Sequence, residues 1–163
     1  MLAATTVPCL KDLIAGIGFA TMTTRGPDGA LRSRPMVNQE MAKGGPLWFF
    51  TGSDTHKASD IIADPHVNVS YSDPAAQRCI SVSGTAKIIH DRRKMRQLWR
   101  PAYAQWLPQG INDPDLSLLE IGIDHIGYWY TGSARAGSTW AGITLEPASA
   151  AGRHDHDEGS HTP

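Results

Sequence analysis

Cysteine is almost missing from this chain: Cys9 and Cys79 are the only two among 163 residues, and they lie far apart. That excludes a disulfide framework and a cysteine-based zinc site. Each thiol is expected to behave as a small buried hydrophobe. An excess of charge of either sign is missing too. Lys and Arg total 15 against 16 Asp and Glu, a net charge of -1, so nothing draws the chain as a whole to nucleic acid or to a membrane surface. No apolar run is long enough to span a bilayer, and no basic segment followed by an apolar core opens the chain. A cytoplasmic protein is expected. There is also no internal repeat at solenoid spacing.

What is present fits one globular domain. Hydrophobic residues make up 40% and charged residues 19%, enough apolar material for a core in a chain of this length. The domain is expected to cover residues 1–148. Beyond it the composition turns to Gly, His, Asp and Ser, which reads as a disordered His/Asp-rich tail over 149–163. The imidazoles and carboxylates of Arg153-His-Asp-His-Asp-Glu158 could attract a transition metal. Ordering a flexible tail costs entropy, so solvation is the simpler reading and no metal site is assigned.

Taken in order, Leu10, Leu13, Ile14 and Ile17 recur at helical spacing, so a helix is expected from Val7 to Ile17, ended by Gly16 or Gly18. Phe19 to Thr24 reads as a strand. Gly26-Pro-Asp-Gly29 is a turn signal, and Ala30 to Val37 should return antiparallel. Leu47 to Phe50 is a short apolar strand, followed by a polar loop and a helix through Ile61 and Ile62 that stops at Asp64-Pro65. Alternation marks His66 to Ser72 and Cys79 to Ile89 as strands, with a bulge expected at Gly84. Asp91 should cap a basic helix to about Arg100, a solvated face rather than a nucleic-acid surface. A helical turn over Pro101 to Pro108 should close one end of the fold. Leu116 to Ile123 and His125 to Thr131 read as two strands around a tight turn near Asp124, and Ser133 to Gly142 as a short helix or an arm. Six or seven strands with short connections predict a mainly β (α+β) protein: a mostly antiparallel barrel with helices packed outside.

Two places carry chemistry. Arg32 and Arg34 share one face of the second strand, and two such charges face either solvent or an anion. Pro35 cannot donate to a ladder, so this strand should be an edge or carry a bulge. The loop Thr51-Gly-Ser-Asp-Thr-His-Lys57 sets hydroxyls and a lysine at the start of a helix, where free N–H groups favour an anion. Ordinary capping by Ser53, Asp54 or Thr55 explains the same residues. No Ser, His or Asp spacing assembles a nucleophile or an acid/base pair, so no catalytic residue is assigned.

Read together, Arg32-Ser-Arg-Pro-Met36, Leu47-Trp-Phe-Phe-Thr51, Thr55-His-Lys57, Val67-Asn-Val-Ser-Tyr-Ser-Asp-Pro74, Ile80-Ser-Val-Ser-Gly84, Asp91-Arg92 and Leu98-Trp99 resemble the pyridoxamine 5'-phosphate oxidase-like flavoproteins, in the general stress protein 26 branch. The resemblance covers roughly residues 7–132. It implies a split β-barrel, a homodimer, and FMN bound in clefts at the dimer interface. By the same resemblance Arg32 and Arg34 lie on the strand that meets the flavin and its phosphate, and Pro35 and Met36 lie along the ring edge. Phe50 and Thr51 end the strand under the ring. Ser53, His56 and Lys57 match the loop that grips the phosphate, and Trp129 is a candidate to reach a partner's flavin. The chain has Tyr128-Trp129-Tyr130 where the branch commonly carries an acidic residue after a Tyr-Trp pair. The residues that hold the substrate phosphate in true pyridoxamine phosphate oxidases are not evident, so the vitamin B6 reaction is not expected. The resemblance implies a stress-related flavin oxidoreductase using FMN for hydride or electron transfer. The alternatives are a non-catalytic flavin-binding sensor, or a barrel holding deazaflavin or haem.

Overall fold

The computed structural model describes residues 9–39, 44–130, 137–140 and 143–144, with Tyr130 and the last two stretches described by backbone only. The tail over 149–163 lies outside the described residues, as does most of the loop over 41–45. Strand β1 (Phe19–Arg25) and strand β2 (Leu31–Val37) form a hairpin around the Gly26–Gly29 turn, paired from Phe19↔Val37 to Arg25↔Leu31. Gly29 takes the positive φ of +79° that closes this turn. Strand β3 (Leu47–Gly52) leads into helix α2 (His56–Ala63), and β4 (His66–Asp73) and β5 (Arg78–Ile89) form a second hairpin. Helix α3 (Arg92–Leu98) and two short 3-10 turns, Pro101–Gln105 and Gly110–Asn112, precede the long strand β6 (Leu116–Tyr130).

All pairings are antiparallel. The order β2-β1-β4-β5-β6, with β3 on the far edge of β6, curls six strands into a half-closed barrel. β2 and β3 stand at the two ends of that order, so they face each other without pairing, and the barrel is split between them. Pro35 lies on the free-edge strand β2, where its missing N–H breaks no ladder.

Alternation explains the core. Met22, Val69, Tyr71, Ile80, Val82, Leu119 and Ile121 point inward and are essentially inaccessible, and α1 (Leu10–Ile14) seals one end with Leu10, Leu13 and Ile14. β3 is apolar on both faces for a reason. Leu47 and Phe49 fill the barrel, while Trp48 and Phe50 pack with Met95, Leu98 and Trp99 beneath α3.

Several expectations are corrected. The first helix is only Leu10–Ile14, because Cys9 is its N-cap and the chain turns extended at Ala15 before the positive φ of Gly16. Residues 116–130 form one continuous strand rather than two. Ser83 pairs His125 and Gly84 pairs Ile123, so Asp124 is an extra bulge residue absorbed by the ladder rather than a turn. The stretch 133–142 contains neither the helix nor a free arm over its described part: β7 (Gly137–Trp140) pairs β6 and β8 (Ile143–Thr144) pairs β7, giving eight strands among the described residues. The cysteines are not buried. Cys79 points outward from β5 and is exposed because Ile80 takes the inward position, and Cys9 is partly exposed at a helix start. Among the described residues no helix is long and apolar enough to cross a membrane.

The bulge shows why Gly84 is required. A Cβ there would overlap the carbonyl oxygen of Gly122, a backbone atom that cannot rotate away. Gly84→Ala should force β5 and β6 apart and lower stability by about 1–3 kcal/mol, the usual penalty of overpacking. Urea denaturation is the check, and an unchanged midpoint would contradict this packing.

Candidate functional site

The split between β2 and β3 opens into a cleft of about 270 Å³. Pro35, Met36 and Val37 come from β2, and Phe50, Thr51 and Gly52 come from β3. Lys57 enters from the first turn of α2, and Tyr103, Trp106 and Leu107 come from the 3-10 turn and its exit. Phe19 and Gln39 complete the wall.

The Lys57 end is set by a polar network. Thr55 caps α2, its Oγ1 accepting from the Ala58 N–H at 3.3 Å, so capping does account for one of the loop hydroxyls. One turn on, the buried Asp60 accepts from Thr24 Oγ1 at 2.9 Å and lies 3.6 Å from the Arg34 guanidinium. Arg34 also donates to Thr24 Oγ1 at 2.6 Å. Asp60 therefore neutralises Arg34 and ties α2 to the β1–β2 hairpin. Lys57 gets no such partner. The one hydrogen bond its Nζ makes among the described residues is to the sulfur of Met36 at 3.7 Å, a weak acceptor. Burial, and then the nearby positive Arg34, lower its pKa from 10.5 to about 8. At neutral pH the ammonium is still charged, partly desolvated, and uncompensated.

The other end is aromatic. Phe50 packs at 5.5 Å from Trp99 and 5.8 Å from Tyr103, and Phe19 meets Trp106 edge-on at 5.5 Å. The Tyr103 hydroxyl donates to Gln39 Oε1 at 2.9 Å.

Of the residues singled out in the sequence, the structure brings Pro35, Met36, Phe50, Thr51 and Lys57 together in the cleft. Arg34 stands behind the wall, held by Asp60 and Thr24. Arg32 is exposed and forms a two-pronged pair with Asp28 of the hairpin turn, at 2.9 and 2.6 Å, while Ser53 and His56 do not line the cleft. Trp129 is 51% exposed and also stands outside this protomer's cleft. Sequence reading missed Asp60, Thr24, Gln39, Phe19 and Tyr103. Asp60 did carry a signal, an acidic residue one helical turn after Lys57 on the apolar side of α2.

The family model of the pyridoxamine 5'-phosphate oxidase-like proteins matches residues 5–150. The chain belongs to that family. Protein bli-3 of Neurospora crassa is 36% identical over 109 residues, which is 64% of this chain and 52% of that protein, so the chain spans about half the length of this curated relative. A general stress FMN/FAD binding protein from Xanthomonas citri is 28% identical with a TM-score of 0.66, covering 84% of this chain and 94% of that one. A protein related to general stress protein 26 from Clostridium acetobutylicum shares the fold at 19% identity and a TM-score of 0.70, covering 80% and 91%. The same split barrel serves a heme binding protein from Mycobacterium smegmatis, at 17% identity and a TM-score of 0.64 over 81% of this chain and 56% of that one. Membership of the family fixes the barrel, while the similar structures are described as binding FMN/FAD in one case and haem in another.

The lowered pKa has a sign that can be checked. Between about pH 8 and 10.5 the unfolded chain holds a proton on Lys57 that the folded chain has released, so stability without ligand should rise with pH across that window. Below pH 8 both states are protonated and the penalty is constant. Lys57→Met should lack this rise. Urea midpoints of the two proteins at pH 7.5, 9 and 10 test it, and parallel pH profiles would show that Lys57 is not held in an unfavourable charged state.

Proposed function

We propose that the chain is an FMN-binding oxidoreductase acting as a homodimer, with the flavin phosphate at Lys57 and the ring along the free edges of β2 and β3. The observation that carries this reading is the uncompensated Lys57 ammonium in the mouth of α2, beside an edge strand. An incoming phosphate would supply the counter-charge that the fold withholds, and it would restore the lysine's ordinary pKa. Arg34 supports the site from behind, its charge already shared with Asp60. Pro35, Met36, Phe50 and Thr51 offer an apolar bed with backbone edges for a flat heterocycle. Ser53, His56 and Arg32 remain candidates for the phosphate's outer surroundings. The residues present therefore fit the group, and the flavin when bound supplies the hydride or electron chemistry while the chain supplies orientation and charge.

Size supports a second copy. One protomer's cleft, at about 270 Å³, falls just short of the roughly 300–1,000 Å³ that hold ligands of this class. The exposed Trp129, which is not part of its own cleft's lining, is the candidate to cover the ring in the partner's cleft. The family's use of the barrel for haem as well gives the alternative, and the Lys57 charge favours a phosphorylated cofactor over it.

The test begins with the absorbance spectrum of freshly purified protein. A flavin pattern with FMN released on denaturation in one-to-one amount is the expected result; a Soret band, or a colourless protein that takes up no added FMN, overturns the reading. Lys57→Ala should then weaken FMN binding by about 1.5–3 kcal/mol, the range for a hydrogen bond to a charged group. Fluorescence titration measures it, and unchanged affinity would remove the phosphate from this position.

A further inference from the structure

Three cations come together where α2 meets the β1–β2 hairpin, and two carboxylates answer them. Arg32 is held by Asp28 in a two-pronged pair, and Arg34 lies 3.6 Å from Asp60. Lys57 has neither acid, and of the residues lining the cleft it is the one that carries charge. Asp60 is the unexpected member of this set. It is 5% exposed, on a helix whose other buried residues are Ala58 and Ile61. A carboxylate there pays for leaving water, and an apolar side chain would pack as well.

The contacts of Asp60 explain its presence. One oxygen, Oδ2, accepts from Thr24 Oγ1 at 2.9 Å and faces the Arg34 guanidinium. Arg34 closes the triangle by donating to the same Thr24 Oγ1 at 2.6 Å. The guanidinium is thus drawn toward β1 and is not part of the cleft lining. It is still close enough for its charge to act on Lys57, whose proton it helps to loosen. Whether Arg34 is cancelled or not must therefore be felt by an anion bound at Lys57.

We propose that Asp60 is a positioning residue that limits how strongly the cleft holds phosphate: by keeping Arg34 on Thr24 and cancelling its charge, it leaves Lys57 as the one cation that meets a phosphorylated ligand. This rests on the flavin reading above, because it takes the phosphate to lie at Lys57. It carries an unusual sign. Removing a buried carboxylate normally weakens a site, whereas here Asp60→Asn strengthens the phosphate end. The Asn carbonyl keeps an acceptor for the Thr24 hydroxyl and fills the same volume. Arg34 then keeps its full charge beside Lys57, and an incoming phosphate is the group that neutralises both.

The experiment is equilibrium dialysis of the purified protein, with any copurifying flavin first exchanged out, against FMN and separately against riboflavin, the same ring without phosphate. The ratio of the two dissociation constants isolates the phosphate, since a general loss of structure weakens both ligands together. Wild type should prefer FMN. Asp60→Asn should raise that preference about three- to tenfold, the scale of one uncancelled charge acting through partly hydrated protein, and added salt should shrink the gain. The double variant Asp60→Asn/Arg34→Gln strands no buried charge, so it keeps the test open should the single variant fail to fold. It should show no gain and keep the smaller preference that Lys57 provides. An Asp60→Asn preference that is unchanged or lower overturns this proposal alone. A double variant with no preference for FMN overturns it as well, by placing Arg34 directly on the phosphate. Wild type that binds no flavin, or that holds riboflavin as tightly as FMN, overturns both this proposal and the placing of the flavin phosphate at Lys57.

Discussion

The Asp60 carboxylate is the constraint on which the site depends. It is the one buried carboxylate among the described residues, and it joins α2 to the β1–β2 hairpin through Thr24 and Arg34. A buried ion pair contributes little net stability against an apolar substitute, but it is directional, and removing one partner is costly. Here the direction fixes the first turn of α2 against the edge of β2. Lys57 is then carried to the cleft by the helix rather than by its own contacts. The same pair cancels Arg34, so the surplus positive charge of the region sits on a single ammonium with only a sulfur beside it.

The split in the barrel has an equally simple origin. β6 is fifteen residues long and offers β5 one edge from Leu118 to Tyr130. Its other edge is divided, the first half to β3 and the second to β7. β3 is thereby held at the far end of the sheet and cannot pair β2, whose edge carries Pro35. A closed barrel would have filled this seam with ladder hydrogen bonds. Left open, the seam exposes backbone edges and apolar side chains to a ligand, and α3 with the following 3-10 turn brings Tyr103 and Trp106 over one end of it.

The cleft is thus asymmetric, cationic toward α2 and aromatic toward the 3-10 turn. This polarity follows from backbone placement, since Met36 and Gln39 lie three residues apart on the same run out of β2.

The sequence by itself determined the elements whose signals are local. The Gly26–Gly29 turn, the alternation of β4 and β5, the edge character announced by Pro35 and the apolar run of β3 follow from periodicity and turn chemistry. It also brought Pro35, Met36, Phe50, Thr51 and Lys57 forward as candidates, and these five line the cleft together with residues such as Phe19, Gln39 and Tyr103 that it did not single out. What it did not reveal were pairings set at long range. Asp124 reads as a turn because nothing local shows that β5 can absorb an extra residue opposite Gly84. Arg32 and Arg34 look alike in sequence, yet one is held by Asp28 four residues away and the other by Asp60, 26 positions on. Gln39 and Tyr103 meet across 64 positions. Side-chain partners of this kind depend on which strand ends are brought together when the sheet curls, and that is decided by tertiary packing alone.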